Sequence, residues 1–232
     1  MEDLLRIVAL LRDPQDGCAW DKVQTHRSIR KNFLEETYEV ADAIDLNDAH
    51  LLCEELGDVL LQVALHTQME KEEGRFTFED VCTGICSKLI ARHPHIFGDA
   101  KADNPEQALQ NWEALKRQEK HRESAAEDLA SVPQAMPALM RASKLSKRAA
   151  AHGIQRTTAQ TAASLTENAR AFCRAAKENT PEGAGEMLGR LLFDAADLGR
   201  QLHCDAEEAL EQTNRAFTEY AAQVEKTASE SV

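Results

Sequence analysis

Apolar positions recur at helical rather than alternating spacing through most of this chain, and turn signals separate the runs. Residues 2–12 read as a short amphipathic helix that Asp13-Pro14-Gln15-Asp16-Gly17 breaks. After the loop GCAWDKVQT, a helix from about Ser28 carries Phe33, Val40, Ala41 and Ile44 at helical spacing to Leu46. Beyond Asn47 a second run carries Leu52, Leu56, Val59, Leu60 and Val63 to about Glu73, and Gly74 ends it. Thr77, with Asp80 three residues on, predicts the start of a helix that His93-Pro94 stops after Arg92. Asn104-Pro105-Glu106 opens another, through Trp112 to about Arg122. Residues 124–137, SAAEDLASVPQAMP, read as a boundary, and helical stretches at 138–151, 158–178, 182–203 and 205–228 come after it.

The second half reads as a worn copy of the first. Gly57-Asp58-Val59-Leu60-Leu61 has its counterpart in Gly189-Arg190-Leu191-Leu192-Phe193, and Gly17-Cys18-Ala19-Trp20 falls opposite Gly153-Ile154-Gln155-Arg156. The expected organisation is therefore a first domain at 1–123, a linker at 124–137 and a degenerate repeat at 138–232.

Composition sharpens the fold class. Of the 232 residues 43% are hydrophobic, enough for a core, while only 5% are aromatic and β-branched runs are scarce, so an all-α fold with almost no sheet is expected. The formal net charge of -13 repels a nucleic-acid backbone, and no Lys/Arg cluster interleaved with aromatics offsets it. No run of apolar residues is long enough for a membrane span, and the charged N-terminal segment has no small-residue cleavage site. Six cysteines without a CxxC or regular framework favour reduced thiols, and a cytoplasmic location is expected.

The candidate chemistry lies in two acidic pairs. Glu36 with Glu39 and Glu55 with Asp58 each have i,i+3 spacing, and they lie 8 and 11 residues to either side of Asn47. If the chain folds back at Asn47, Glu39 comes opposite Glu55 and Glu36 opposite Asp58. Carboxylates ~4 Å apart repel by about 4 kcal/mol at an effective dielectric of about 20, which a divalent cation would relieve. An all-oxygen set without Cys or His favours Mg²⁺ or Mn²⁺ over zinc, and Mg²⁺ is commonly held together with substrate phosphates. The plainer alternative is a solvated helix face in a chain with 40 acidic residues. Against it stand the mirror symmetry of the pairs and the loss of all four acids in the second half, where Asn168, Ala171, Met187 and Arg190 occupy their positions.

The run LRDPQDGCAWDKVQTHRSIRKNFLEETYEVADAID, followed by EELGDVLLQVALH and KLIARHPHIFGD, resembles the MazG nucleoside triphosphate pyrophosphohydrolases, strongly over about residues 1–122 and weakly beyond. The resemblance implies tandem all-α bundles, hydrolysis of NTPs or dNTPs to the monophosphate and pyrophosphate with Mg²⁺, and a homodimer. It makes Glu36, Glu39, Glu55 and Asp58 the metal ligands, and Lys88 and Arg92 the phosphate-binding residues. Those two also share a helical face in an otherwise acidic chain. Trp112 and Lys116 match a segment near the nucleotide, where a tryptophan would stack on a base and the lysine would meet a phosphate. Trp20 is a further candidate for substrate contact, against the alternative that it plugs the core. Glu35 and Glu54 are candidates for the general base, each one residue from a proposed ligand. Ala19 stands where the family has Pro. Two rival readings remain: a phosphoribosyl-ATP pyrophosphohydrolase-like enzyme, whose chains are short and single-copy, and a non-catalytic nucleotide sensor or scaffold.

Overall fold

The computed structural model describes residues 1–119, 124–178 and 183–230, and the chain divides into two compact units, Met1–Leu115 and Lys116–Val232. The first contains α1 (Glu2–Leu11), α2 (Arg30–Asp45), α3 (Ala49–Glu72), α4 (Phe78–Arg92) and α5 (Pro94–Phe97). Helix α6 (Pro105–Glu119) runs across the division. The second contains α7 (Ala125–Ala130), α8 (Ala138–Ala151), α9 (Thr158–Lys177), α10 (Ala184–Gln201) and α11 (Ala206–Glu230). Among the described residues there is no strand.

Local chemistry sets most boundaries. The α2–α3 turn is made by Asn47 at φ 52°, a left-handed conformation that Asn tolerates better than most residues. Asp48 then caps α3, its carboxylate accepting from the backbone N–H of His50 and Leu51. Thr77 and Asp80 form a reciprocal capping box at α4. His93-Pro94 does end α4, and Pro94 serves as the first residue of the one-turn helix α5.

In the first unit α2 folds back along α3, and α1 packs against α3. Val8, Ile29, Ala64, Leu65 and Met69 form its buried core, with Leu4, Leu5 and Leu61 beside it. Helix α2 contributes less to that core than its periodicity predicts: only Ala43 is buried, while Ile44 is 58% exposed and Ala41 is exposed too.

In the second unit α9 and α10 form the central pair, with α8 and α11 against α10. The segment 124–137 is not a bare linker. It carries α7, capped by Ser124 and Glu127 and packed on α8, and it buries Asp128 and Val132. Arg148 and His152 reach Asp128 from α8 and its end, which draws this segment into the second unit. Residues 120–122, expected at the end of α6, and 182, expected at the start of α10, lie outside the described residues.

Candidate active site

The α2–α3 hairpin brings three of the four predicted acids together. Carboxylate oxygens of Glu36, Glu39 and Glu55 all lie within 4.8 Å of one another. Glu36 and Glu55 are half-buried and Glu39 is exposed. Asp58 does not join that tight group, although its charge acts on both Glu36 and Glu55. Partial burial pushes the Glu36 carboxyl up, and Glu39, Asp58 and Glu55 push it further. Glu55 is raised in the same way, by partial burial first and then by Glu39, Glu54 and Asp58. Among the described residues none of the four acids forms an ion pair with Lys, Arg or His.

This donor set fits a hard divalent cation. It offers only carboxylate oxygens, they converge without a protein cation to neutralise them, and their mutual repulsion opposes full ionisation. The group lies at an accessible surface rather than sealed within the core, which leaves room for substrate oxygens and water.

The remaining candidates lie on several elements. Glu35 and Glu54 are exposed on the residues preceding Glu36 and Glu55. Lys88 is exposed on α4 and forms no ion pair among the described residues. Arg92 is buried to 8% exposure at the end of α4, with its guanidinium 5.4 Å from the ring centre of Trp112, a cation–π contact. Lys116 comes one turn after Trp112 on α6. Trp20 does not plug the core: it is 55% exposed, in the loop before the 3-10 turn Asp21–Val23.

One structural element of the site was not read from the sequence. The loop before α2 is strapped to the far end of α3 by two paired carboxylates. Arg12 donates two hydrogen bonds to Glu72, at 2.9 and 2.7 Å, and donates to the backbone carbonyls of Asp21 and Gln24. Glu70 is held by Arg75 and approached by His26, whose Nδ1 lies 2.7 Å from His66 Nδ1. These residues are separated by up to 60 positions along the chain, so no local spacing brings them together.

In the second unit the equivalent helix pair is closed by hydrogen bonds instead. Continuing the Gly57/Gly189 alignment sets Asp194 against Gln62, and Asp194 accepts from Ser164 and Asn168 and pairs with Arg156. Arg190, at the position of Asp58, pairs with Glu186. No acid cluster of the kind formed by Glu36, Glu39 and Glu55 occurs there among the described residues.

An all-α helical protein with a carboxylate cluster on a helical hairpin is the class that fold and site define. The chain belongs to the MazG family: residues 24–97, which contain both acidic pairs, match the MazG nucleotide pyrophosphohydrolase domain. It is 41% identical to the nucleoside triphosphate pyrophosphohydrolase of Escherichia coli K12, across 97% of this chain and 87% of that one. It is 38% identical to the nucleoside triphosphate pyrophosphohydrolase/pyrophosphatase MazG of Thermotoga maritima, across 94% of this chain and 82% of that one. The Bacillus subtilis protein YabN is 40% identical, with this chain spanning 46% of its length.

Proposed function

We propose that this protein is a nucleoside triphosphate pyrophosphohydrolase that cleaves NTPs or dNTPs to the monophosphate and pyrophosphate at the α2–α3 hairpin of its first unit. The observation that carries this reading is the convergence of Glu36, Glu39 and Glu55, in a chain whose similar relatives bear the name of that activity.

Glu36, Glu39, Glu55 and Asp58 would hold Mg²⁺, or Mn²⁺ in its place, which when bound supplies Lewis-acid polarisation of a phosphoryl oxygen and a more acidic water. The reaction adds water at the α-phosphorus and breaks its bond to the oxygen bridging to the β-phosphorus. Glu35 or Glu54 takes the water's proton. The ammonium of Lys88 offsets the charge of the departing pyrophosphate, and Arg92 does the same while holding Trp112 by its face. Trp112 and Trp20 offer stacking surfaces for the base, and Lys116 offers a phosphate contact.

The protein acts as a homodimer. Tyr38, Leu56, Val81, Ile85 and Leu89 are all at least 39% exposed on the three helices that carry the site, an apolar surface suited to a second copy. A cytoplasmic location accords with six unpaired cysteines and with the nucleotide substrate; no helix among the described residues is long and apolar enough to cross a membrane.

Purified protein supplied with dGTP or ATP and Mg²⁺ is expected to release pyrophosphate. Glu39→Gln or Asp58→Asn should lower the rate by at least ~100-fold with helicity retained. Release of single orthophosphates would move the attack off the α-phosphorus, and metal-dependent binding without turnover would make the protein a sensor.

A further inference from the structure

We infer that His26 is a positioning residue for the acid-bearing helix: it latches the loop before α2 onto α3, and the latch closes only while the His26–His66 pair shares a single Nδ1 proton. The kinetic part of this inference rests on the proposed pyrophosphohydrolase activity; the latch itself does not.

The geometry allows one proton between the rings. The two Nδ1 atoms are 2.7 Å apart, so one must donate and the other accept, and the rings stack with centroids 5.0 Å apart and planes within 3°. A second Nδ1 proton would set N–H against N–H and put two cations face to face, and the contact would open. Phe33 of α2 meets the His66 ring edge-on at 5.8 Å, which ties the acid-bearing helix to the same pair.

The charged groups around the pair hold it at the lower proton count. On α3, Glu70 Oε1 lies 2.6 Å from His26 Nε2, an ion-pair distance although off the line of a hydrogen bond. Arg75, from the turn after α3, takes both Glu70 oxygens at 2.6 and 2.9 Å, which offsets much of that carboxylate's charge. Arg12 and Glu72, the neighbouring strap, neutralise each other. Partial burial lowers His66 below the ordinary imidazole value of 6.5, and the charge of His26 lowers it further.

The latch governs the segment just C-terminal to it. Three residues after His26, Ile29 enters the core at 1% exposure, and α2 begins at Arg30 and carries Glu36 and Glu39 along its next turns. The loop also bears the exposed Trp20, whose carbonyl accepts from Gln24. Opening the pair therefore frees the loop and loosens the start of the helix that supplies two of the three clustered acids, with the α1–α3 core left in place. The second half of the chain has no such pair, since Leu198 stands at the position of His66.

Hydrogen exchange on the full chain, compared from about pH 7 to about pH 5 after correction for the intrinsic rate, tests the latch. Protection of residues 18–29 is expected to fall by about tenfold per pH unit once the second proton binds, while protection of α3 holds. In His66→Gln, whose carboxamide accepts from a protonated His26 without gaining a proton, that fall should be absent. The same variant should lose the corresponding acid limb of kcat/KM. Should His66→Gln fail to fold, His26→Gln carries the same expectation. Wild-type protection over 18–29 that does not respond to pH, or a fall of equal size in the folded Gln variant, would overturn the latch. Absence of any turnover at neutral pH would instead refute the enzymatic reading and leave the exchange result standing.

Discussion

At the scale of single residues, the acids at 36 and 55 work against the fold that holds them. Their carboxyls are raised in the folded chain, so the fold favours their protonated forms and loses stability as pH rises through the carboxylate range. Neutralising one of them should therefore help a metal-free protein: Glu36→Gln, assayed by thermal melting in chelator at neutral pH, is expected to melt a few degrees above wild type. Adding Mg²⁺ should raise the wild-type melting temperature and move the variant less. Equal metal-induced shifts in both proteins would remove Glu36 from the proposed ligand set. The acids were legible in the sequence because two i,i+3 pairs flanking a turn need only helix geometry to meet. The tighter grouping of three without Asp58 was not, because the relative rotation of α2 and α3 is set by tertiary packing and not by spacing along either helix.

At the scale of elements, the hairpin turn fixes the register on which the cluster depends. Asn47 holds φ 52°, where a β-branched residue is strained by roughly 1–2 kcal/mol. Asn47→Val is expected to lower stability by about that amount and to reduce pyrophosphate release severalfold although no acid is touched, whereas Asn47→Gly should be close to neutral. Asp48→Ala removes the cap of α3 and should cost about 1 kcal/mol in chemical denaturation. An Asn47→Val protein with unchanged activity would mean that the acids find their register without the turn. The helix start at Thr77 was readable because capping is local. Helix α7 lies within the stretch that reads as a boundary: six residues give too short a period to recognise, and its anchor is Arg148 on the following helix.

At the scale of the whole molecule, the two units keep similar helix pairs by different means. The first packs apolar side chains and leaves Glu36, Glu39, Glu55 and Asp58 unpaired by protein cations; the second joins α9 to α10 through Asp194 and Asp197. Burial alone would raise the Asp194 carboxyl, but hydrogen bonds from Ser164, Arg156 and Asn168 outweigh it and hold the group below its ordinary value of 3.8. A lowered folded value contributes stability that is present above 3.8 and is lost as pH falls through the folded value. Arg156→Ala leaves that buried carboxylate short of its cation. The expected cost is about 2–3 kcal/mol at neutral pH, less than for a fully buried pair because the Arg156 side chain is 38% exposed. Melts of wild type and variant should converge in acid, and a gap that persists there would assign the effect to lost packing. Sedimentation at micromolar concentration should give twice the chain mass, and Ile85→Glu should reduce it to one.

The sequence by itself determined the longer helices, the hairpin at Asn47, the acidic pairs and their loss from the second half, because each depends on spacing within one or two turns. Tertiary structure decided which three acids meet, that Trp20 faces solvent, and that Arg92 lies under Trp112. It also decided that the loop before α2 is fastened through His26, His66, Glu70 and Arg12. These contacts join residues tens of positions apart, and their geometry depends on how whole helices rotate to bury a small apolar core. The acidic pairs on either side of Asn47 are a local pattern; the site they form is a consequence of packing.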